Sequence, residues 1–197
     1  MSREACIERK TKETDISLTL GLDAPVGGAA VQVRTGVGFF DHMLTAFACH
    51  GGFALSLQVQ GDLEVDAHHT MEDTGLALGQ AVKNALGDKR GITRFGSSYI
   101  PMDESLARVV IDLSGRPHLS WRVSLPEQMV GGVSARLFHE FFQSVANAAG
   151  LTLHVDLLAC EEGHHGMEAI FKAFGRALAQ AVAVSGNAVM STKGVLE

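Results

Sequence analysis

Two stretches of the chain repeat one another so closely that the fold must contain one structural unit twice. The segment HHTMEDTGLALGQAVKNALG, which begins at His68, matches HHGMEAIFKAFGRALAQAVAVSG, which begins at His164, at a constant offset of 96 residues. Identical residues recur at aligned positions, which in the first copy are His68, His69, Met71, Glu72, Gly79, Ala81 and Ala85. Self-similarity at a fixed offset is the signature of a duplicated unit.

The similarity extends upstream and includes a further histidine. FFDHMLTAFACHGGFALSLQV resembles LFHEFFQSVANAAGLTLHVDL; His42 precedes His68 by 26 residues, and His139 precedes His164 by 25. A chance match between two apolar helices would reproduce the spacing of apolar residues, but not HHxxE together with a preceding histidine. The duplication therefore includes residues that can carry chemistry.

Hydrophobic periodicity assigns the same order of elements to each copy. The first copy has predicted strands over 16–22, 30–35 and 53–60 and predicted helices over 40–50 and 68–86, with Asp66 as the expected cap of the longer helix. The second copy has predicted strands over 106–114, 119–123 and 151–157, predicted helices over 134–149 and 164–184, and a join to the first copy at 87–96. We predict an α+β fold with internal duplication of a ββαβα unit, and helices on one face of each sheet. The whole chain, 1–197, is expected to be a single domain composed of repeat 1 (1–90) and repeat 2 (91–197).

HHxxE at the start of a helix predicts metal ligands. The first histidine and the glutamate are four residues apart and share a helix face, whereas the two adjacent histidines diverge by about 100°. Each copy can therefore offer one His–Glu pair to one metal and its other histidine to a second. With the upstream histidines, the candidate ligands are His42, His68, His69, Glu72, His139, His164, His165 and Glu168. Six imidazoles and two carboxylates suit two metals with three His and one Glu each, and without thiolates they permit Mn, Fe, Co, Ni or Zn.

Composition narrows the class of protein. A net charge of -6 argues against a general nucleic-acid-binding surface, although a few arginines can still bind a small anion. No apolar run approaches the ~20 residues that span a bilayer, and MSREACIERK lacks the apolar core of a signal peptide. The three cysteines form no CxxC pair, so we expect reduced thiols in a cytoplasmic protein that binds neither nucleic acid nor membrane.

At these residues the chain resembles imidazoleglycerol-phosphate dehydratases, lyases of histidine biosynthesis, over nearly its whole length. The motifs that carry the resemblance are TKET at 11–14, GVGFFDHML at 36–44, DAHHTMEDTGLALG at 66–79, GDKRGITRFG at 87–96, PMDESLARVVIDLSGRP at 101–117, HEFF at 139–142, HHGMEAIFKAFGRAL at 164–178 and STKG at 191–194. The second HH motif of the family is usually preceded by Gly-x-Asn-x, where this chain has Cys160, Glu161, Glu162 and Gly163. A second departure is Ala46, where some members carry a glutamine near the substrate.

The resemblance implies a fold like domain 2 of ribosomal protein S5, two Mn²⁺ per subunit held by the eight ligands named above, and a homo-oligomer, a 24-mer built from trimers. It implies dehydration of D-erythro-imidazoleglycerol phosphate to imidazole-acetol phosphate through a metal-bound imidazolate. The implied catalytic residues are Glu13, Glu72 and Glu168. The implied substrate-binding residues are Glu13, Asp41, His42, His68, His69, Glu72, Arg94, Arg116, His164, His165, Glu168, Ser191, Thr192 and Lys193, and Asp103 and Glu104 are further candidate carboxylates.

The ligand pattern leaves two other functions open. A dinuclear metal-dependent hydrolase would use the same His and Glu pairs to activate water, and a non-catalytic metal-binding protein would use them for storage or structure. The cations that match a phosphate site argue against storage, and the motifs along the whole chain argue against a hydrolase.

Overall fold

The computed structural model describes residues 3–24, 29–192, 194 and 196. The first half contains β1 (Glu4–Lys10), β2 (Thr14–Gly21), β3 (Val31–Arg34), α1 (Gly38–Gly51), β4 (Ala54–Gly61) and α2 (His68–Leu86). The second half contains β5 (Phe95–Met102), β6 (Ser105–Asp112), β7 (His118–Arg122), β8 (Met129–Val130), β9 (Val133–Ser134), α3 (Arg136–Ala149), β10 (Thr152–Ala159) and α4 (Gly163–Val182).

The two halves form four-stranded sheets of identical topology. The strand order is β1-β2-β4-β3 in the first sheet and β5-β6-β10-β7 in the second. In both sheets the last neighbour pair, β4 with β3 and β10 with β7, is parallel, and the other pairs are antiparallel. This correspondence confirms the predicted α+β duplication. The small β8–β9 hairpin lies between β7 and α3 and has no equivalent among the described residues of the first half.

Each half begins with one strand more than the periodicity predicted. β1 and β5 are edge strands, and each pairs with one neighbour only. In β1 the inward-facing residues are Ala5, Ile7 and the cationic Arg9, and β5 has the sequence FGSSYIPM. Such strands lack the regular apolar alternation that identifies a strand, because an edge strand buries little and tolerates glycine and proline. The predicted join at 87–96 therefore covers the first two residues of β5.

The helices lie between the two sheets. α2 packs on β1, β2 and β4 of its own sheet, and α4 packs on β5, β6 and β10. On their other sides α2 crosses α3 and α1 crosses α4, so each crossing joins one half to the other. Stacked rings fill the centre, including Phe47 on Phe174 and Phe141 on Phe171. The helices thus cover one face of each sheet, as predicted.

Glycines permit the two crossings. A Cβ atom on Gly79 of α2 would lie 2.6 Å from the carbonyl oxygen of Val145 in α3, and one on Gly175 of α4 would lie 2.3 Å from that of Phe47 in α1. Gly79 and Gly175 are aligned in the repeat. The same close approach therefore occurs twice, each time between a long helix of one half and a short helix of the other.

We expect Gly79→Ala to lower the stability of the fold, because a methyl group at the crossing must push backbone apart. Overpacking of this kind costs about 1–3 kcal/mol. Gly38→Ala is the matched control, since a Cβ on Gly38 meets no atom within 4 Å. Thermal melting followed by circular dichroism should show a lower melting temperature for Gly79→Ala only. Equal melting temperatures for the two variants would contradict the tight crossing.

Candidate metal centre

Glu162 caps the start of α4, the helix that carries His164 and His165. Its carboxylate accepts hydrogen bonds from the backbone N–H groups of His164 (3.0 Å) and His165 (2.9 Å). These bonds hold the pKa of Glu162 below its usual 4.5, with the bond from His165 as the largest cause. Glu162, which departs from the family pattern at this position, therefore acts as the helix cap.

Three predicted ligands from the two halves converge at this end of α4. Glu168 Oε2 lies 3.1 Å from Nε2 of His42, which α1 contributes, and 3.3 Å from Nε2 of His164. The donor atoms all lie within 4.8 Å of one another. His164 and Glu168 share one helix face, as their spacing predicts, and the crossing of α1 over α4 brings His42 to them.

Lys172 completes the surroundings of Glu168. Its ammonium group lies 2.7 Å from Oε1, one helical turn further along α4. Burial raises the pKa of Glu168, but the hydrogen bonds from Lys172 and His42 outweigh burial and leave that pKa lowered. The carboxylate is therefore ionised near neutral pH and presents Oε2 to the two imidazoles.

The start of α2 repeats only part of this arrangement. His68 Nε2 lies 3.4 Å from Glu72 Oε2, which reproduces the His164–Glu168 pair. His139 does not join them within the described chain: its ring packs edge-on against Trp121, and its Nδ1 lies 3.6 Å from Glu140 Oε1. The second centre is therefore less complete within one chain than the first.

A register difference explains why His42 and His139 behave differently. The buried residues of α1 match those of α3 at an offset of 98, as Phe40 with Phe138 and Phe47 with Val145. At that offset the counterpart of His42 is Glu140, and the counterpart of His139 is Asp41. The two histidines are thus one residue out of register, about 100° apart around equivalent helices.

The second histidine of each HHxxE motif forms a hydrogen bond with a carboxylate through its Nδ1 atom. His69 Nδ1 lies 2.9 Å from Asp62 Oδ2, and His165 Nδ1 lies 3.0 Å from Glu104 Oε2. These hydrogen bonds are the largest cause of the raised pKa of both histidines. On the far side of His69, Glu13 Oε1 lies 3.8 Å from Nε2.

The predicted phosphate-binding residues form a separate group. Arg94 donates hydrogen bonds to both carboxylate oxygens of Asp112, and its Nη1 donates to the carbonyl of Met190 at 2.7 Å. Arg116 is 67% exposed and lies 3.8 Å from Asp112. The structure thus brings Arg94 to the segment that leads into Ser191 and Thr192, and both arginines lie beside Asp112.

Two further predicted substrate contacts are Lys193 and Asp41. Lys193 lies outside the described residues. The carboxylate of Asp41 accepts hydrogen bonds from the backbone N–H (2.8 Å) and hydroxyl (2.6 Å) of Thr35, so it shapes the turn before α1.

The arginines and the metal-ligand cluster of the second half lie at opposite ends of one strand. Asp112, which pairs with Arg94, ends β6, whereas Glu104, which contacts His165, immediately precedes it. Eight strand residues span about 23 Å. The strand therefore separates the arginines from the metal-ligand cluster of the same half.

Sequence reasoning missed three residues of this region, namely Lys172, Asp62 and Asp112. Lys172 could have been found, because a cation four residues after Glu168 is an i,i+4 pair on the same helix face. Asp62 and Asp112 carry no such signal, since their contacts depend on how the strand ends meet the helices.

Comparison with known proteins agrees with this architecture. The sequence model of the imidazoleglycerol-phosphate dehydratase family matches residues 35–178. The chain is 53% identical over 196 residues to an imidazoleglycerol-phosphate dehydratase of Lacticaseibacillus casei, covering 98% of this chain and 100% of the relative. It is 52% identical over 198 residues to that of Acetivibrio thermocellus, covering 100% of both.

Solved structures show the same relationship. The Staphylococcus aureus imidazoleglycerol-phosphate dehydratase superposes with a TM-score of 0.81 at 41% identity, covering 92% of this chain and 99% of that one. The Pyrococcus furiosus enzyme in complex with (S)-C348 superposes with a TM-score of 0.82 at 36% identity, covering 96% and 100%. A duplicated α+β fold with clustered His and Glu side chains is typical of a metal-dependent enzyme. The chain belongs to the imidazoleglycerol-phosphate dehydratase family, whose members are lyases of histidine biosynthesis.

Within the described part of the chain, no helix combines the length and apolar character needed to cross a membrane.

We expect Glu162→Ala to weaken the start of α4 in metal-free protein, because two backbone N–H groups lose their acceptor. The matched control is Glu161→Ala, since Glu161 makes no hydrogen bond or ion pair with a described residue and carries the same charge. The melting temperature of Glu162→Ala should be lower by roughly 2–4 °C at pH 7.

The effect should also depend on pH. Because folding lowers the pKa of Glu162, its contribution is complete above about pH 4.5 and is lost as the pH falls through the lowered value. The difference between the variants should therefore be constant from pH 7 to about pH 5 and shrink in more acidic buffer. A difference that grows on acidification would refute the capping role.

Proposed function

We propose that the chain dehydrates imidazoleglycerol phosphate at two Mn²⁺ centres that neighbouring copies of the chain complete. The observation that carries the proposal is the convergence of His42, His164 and Glu168. Ligands of one metal at 2.0–2.2 Å lie about 3–3.5 Å from one another. The 3.1 Å and 3.3 Å separations around Glu168 Oε2 fit that requirement.

The donor chemistry supports the proposal. Two imidazole nitrogens and a carboxylate that stays ionised suit a divalent metal of borderline hardness, and nitrogen and oxygen donors without thiolates accommodate Mn²⁺. In this reaction a bound metal supplies Lewis-acid polarisation of the substrate's imidazole ring. The proposed ligands are the eight predicted residues, with His139 contributed to a centre other than the one nearest to it in its own chain.

We assign the proton transfers of the reaction to Glu13. The reaction removes a hydroxyl next to the imidazole ring and a proton from the following carbon, and that C–H is a weak acid without a neighbouring carbonyl. A general acid–base residue must lie within reach of both groups. Glu13 is 52% exposed on a turn and lies beside His69, so its carboxylate can reach a substrate at the metal centre.

The arginines position the phosphate. Arg94 is fixed by Asp112, and Arg116 is free to turn its planar group toward phosphate oxygens. Because β6, a strand about 23 Å long, lies between this group and the metal ligands of its own half, we place the phosphate of each substrate on one copy and its imidazole on another. We accordingly propose a homo-oligomer, a 24-mer of trimers, and a cytoplasmic location that suits the three free cysteines.

The direct test is to incubate Mn²⁺-loaded protein with imidazoleglycerol phosphate and to follow formation of the keto product. The dehydratase forms imidazole-acetol phosphate. A dinuclear hydrolase would release inorganic phosphate instead, and a storage protein would leave the substrate unchanged, so either of these results would overturn the proposal.

We expect Glu72→Gln and Glu168→Gln each to abolish activity and to lower bound metal from two ions per chain to one. Each change removes the only carboxylate from one centre. Glu161→Gln serves as a control that removes a carboxylate away from the centres. Elemental analysis after gel filtration measures the stoichiometry, and two ions retained in either variant would refute the assignment of one glutamate per centre.

We also expect two inactive variants to complement each other. Glu168→Gln removes a metal ligand, and Arg116→Ala removes a phosphate contact at the other end of β6. In a co-assembled mixture some composite sites combine the intact glutamate of one copy with the intact arginine of another. At equal amounts, random assembly should restore about a quarter of the parent activity. Mixed assemblies as inactive as the separate variants would place the whole site within one chain.

A further inference from the structure

The hairpins at the start of the two sheets are structurally equivalent, which aligns Glu13 with Glu104. Lys12 and Glu13 form the turn between β1 and β2, and Asp103 and Glu104 form the turn between β5 and β6. The sheet registers agree at the pairs Ile16–Val59 and Ala107–Leu157, and a β-bulge in β10 shifts the register only beyond Leu157. Both glutamates also face the second histidine of the HHxxE motif in their own half. The repeat thus places one carboxylate at the same point twice.

The two glutamates contact different ring nitrogens. Glu104 accepts the hydrogen bond from Nδ1 of His165 at 3.0 Å, whereas Glu13 lies 3.8 Å from Nε2 of His69. Glu104 is further fixed by the hydroxyl of Ser105, which donates to its Oε1. The equivalent hydroxyl, on Thr14, donates instead to Asp73. Accordingly, Glu104 is 26% exposed and Glu13 is 52% exposed.

In the first half a different residue holds the histidine. Asp62, the residue directly after β4, accepts the hydrogen bond from Nδ1 of His69 at 2.9 Å. A β-bulge inserts Leu158 into β10, so the sheet register makes Glu161 the counterpart of Asp62. Glu161 is exposed and makes no hydrogen bond or ion pair with a described residue. Among the described residues, the strand end of the second half therefore supplies no partner for His165.

A contribution to the stability of the fold does not explain why an aspartate occupies position 62. Its Oδ1 atom is buried and has no hydrogen-bond partner among the described residues. A buried carboxylate oxygen without a partner costs free energy. The contact that remains, to His69 Nδ1, fixes the ring so that Nε2 is the nitrogen left for a ligand.

We infer that Asp62 and Glu104 are positioning residues, which hold His69 and His165 by Nδ1 so that Nε2 faces the metal, and that Asp62 thereby leaves Glu13 free for proton transfer. This inference rests on the proposed metal centres. Carboxylates that accept the second N–H of a metal-binding histidine orient the ring and raise its basicity. The second half uses its hairpin glutamate for this purpose. The first half uses Asp62, and its hairpin glutamate remains exposed beside the proposed centre.

The test is a titration of metal-free protein with Mn²⁺, in which the electron paramagnetic resonance signal of free Mn²⁺ reports the dissociation constants. Asp62→Ala and Glu104→Ala should each weaken one centre about 10–100-fold. Asp62→Asn should restore part of the affinity, because its amide oxygen still accepts from Nδ1. Glu13→Ala should bind both ions with parent affinity and lose kcat.

The control is Glu64→Ala, in the same loop as Asp62, because Glu64 is exposed and makes no hydrogen bond or ion pair with a described residue. It should match the parent in affinity and kcat. Melting temperatures of the metal-free variants should stay close to that of the parent.

The possible outcomes distinguish the failure of the positioning roles from the failure of the proposed metal centres. Parent affinity in Asp62→Ala or Glu104→Ala overturns this inference alone, as does a Glu13→Ala variant that loses metal as strongly as Asp62→Ala. A parent protein that binds no Mn²⁺ overturns the proposed centres and this inference with them.

Discussion

The structure depends on the two helix crossings at Gly79 and Gly175. Neither half buries its helices by itself, since α2 needs α3 and α4 needs α1 as the second layer of the core. Because a glycine at each crossing brings the backbones to within van der Waals contact, the residues at the ends of the crossing helices have fixed separations. His42 reaches Glu168 only because α1 crosses α4 in this way. The core thus determines the geometry of the candidate metal centre.

Much of this arrangement could be predicted from the sequence. The repeat gave the order of helices and the shared face of His164 and Glu168, because both follow from helical periodicity. The N-cap position of α2 is Ala67 and not the predicted Asp66, but the Asp66 carboxylate still accepts the backbone N–H of His68 at 2.6 Å. These features are local, and local geometry is what residue spacing encodes.

The one-residue offset between His42 and His139 is visible in the sequence, since the aligned segments that begin at Phe39 and Leu137 place His139 opposite Asp41. The buried faces of α1 and α3 agree with that alignment. The features that sequence could not supply are tertiary. Asp62 lies outside the aligned residues of the repeat, and its pairing with His69 arises because β4 ends beside the start of α2. The edge strands β1 and β5 were missed because their burial is slight.

Duplication explains why each half carries its own HHxxE motif, and divergence between the halves explains why the surroundings of the two motifs differ. A symmetric pair of hairpin glutamates would either both orient histidines or both face the substrate. One chain satisfies both requirements because Asp62 replaces the hairpin glutamate as the partner of His69. The same reasoning applies to the arginines: only the second half carries Arg94 and Arg116 at the far end of its sheet, on a rigid strand about 23 Å long. Under the proposed function, a site that uses both ends of β6 draws them from two copies of the chain. The proposed assembly would then be a condition for catalysis.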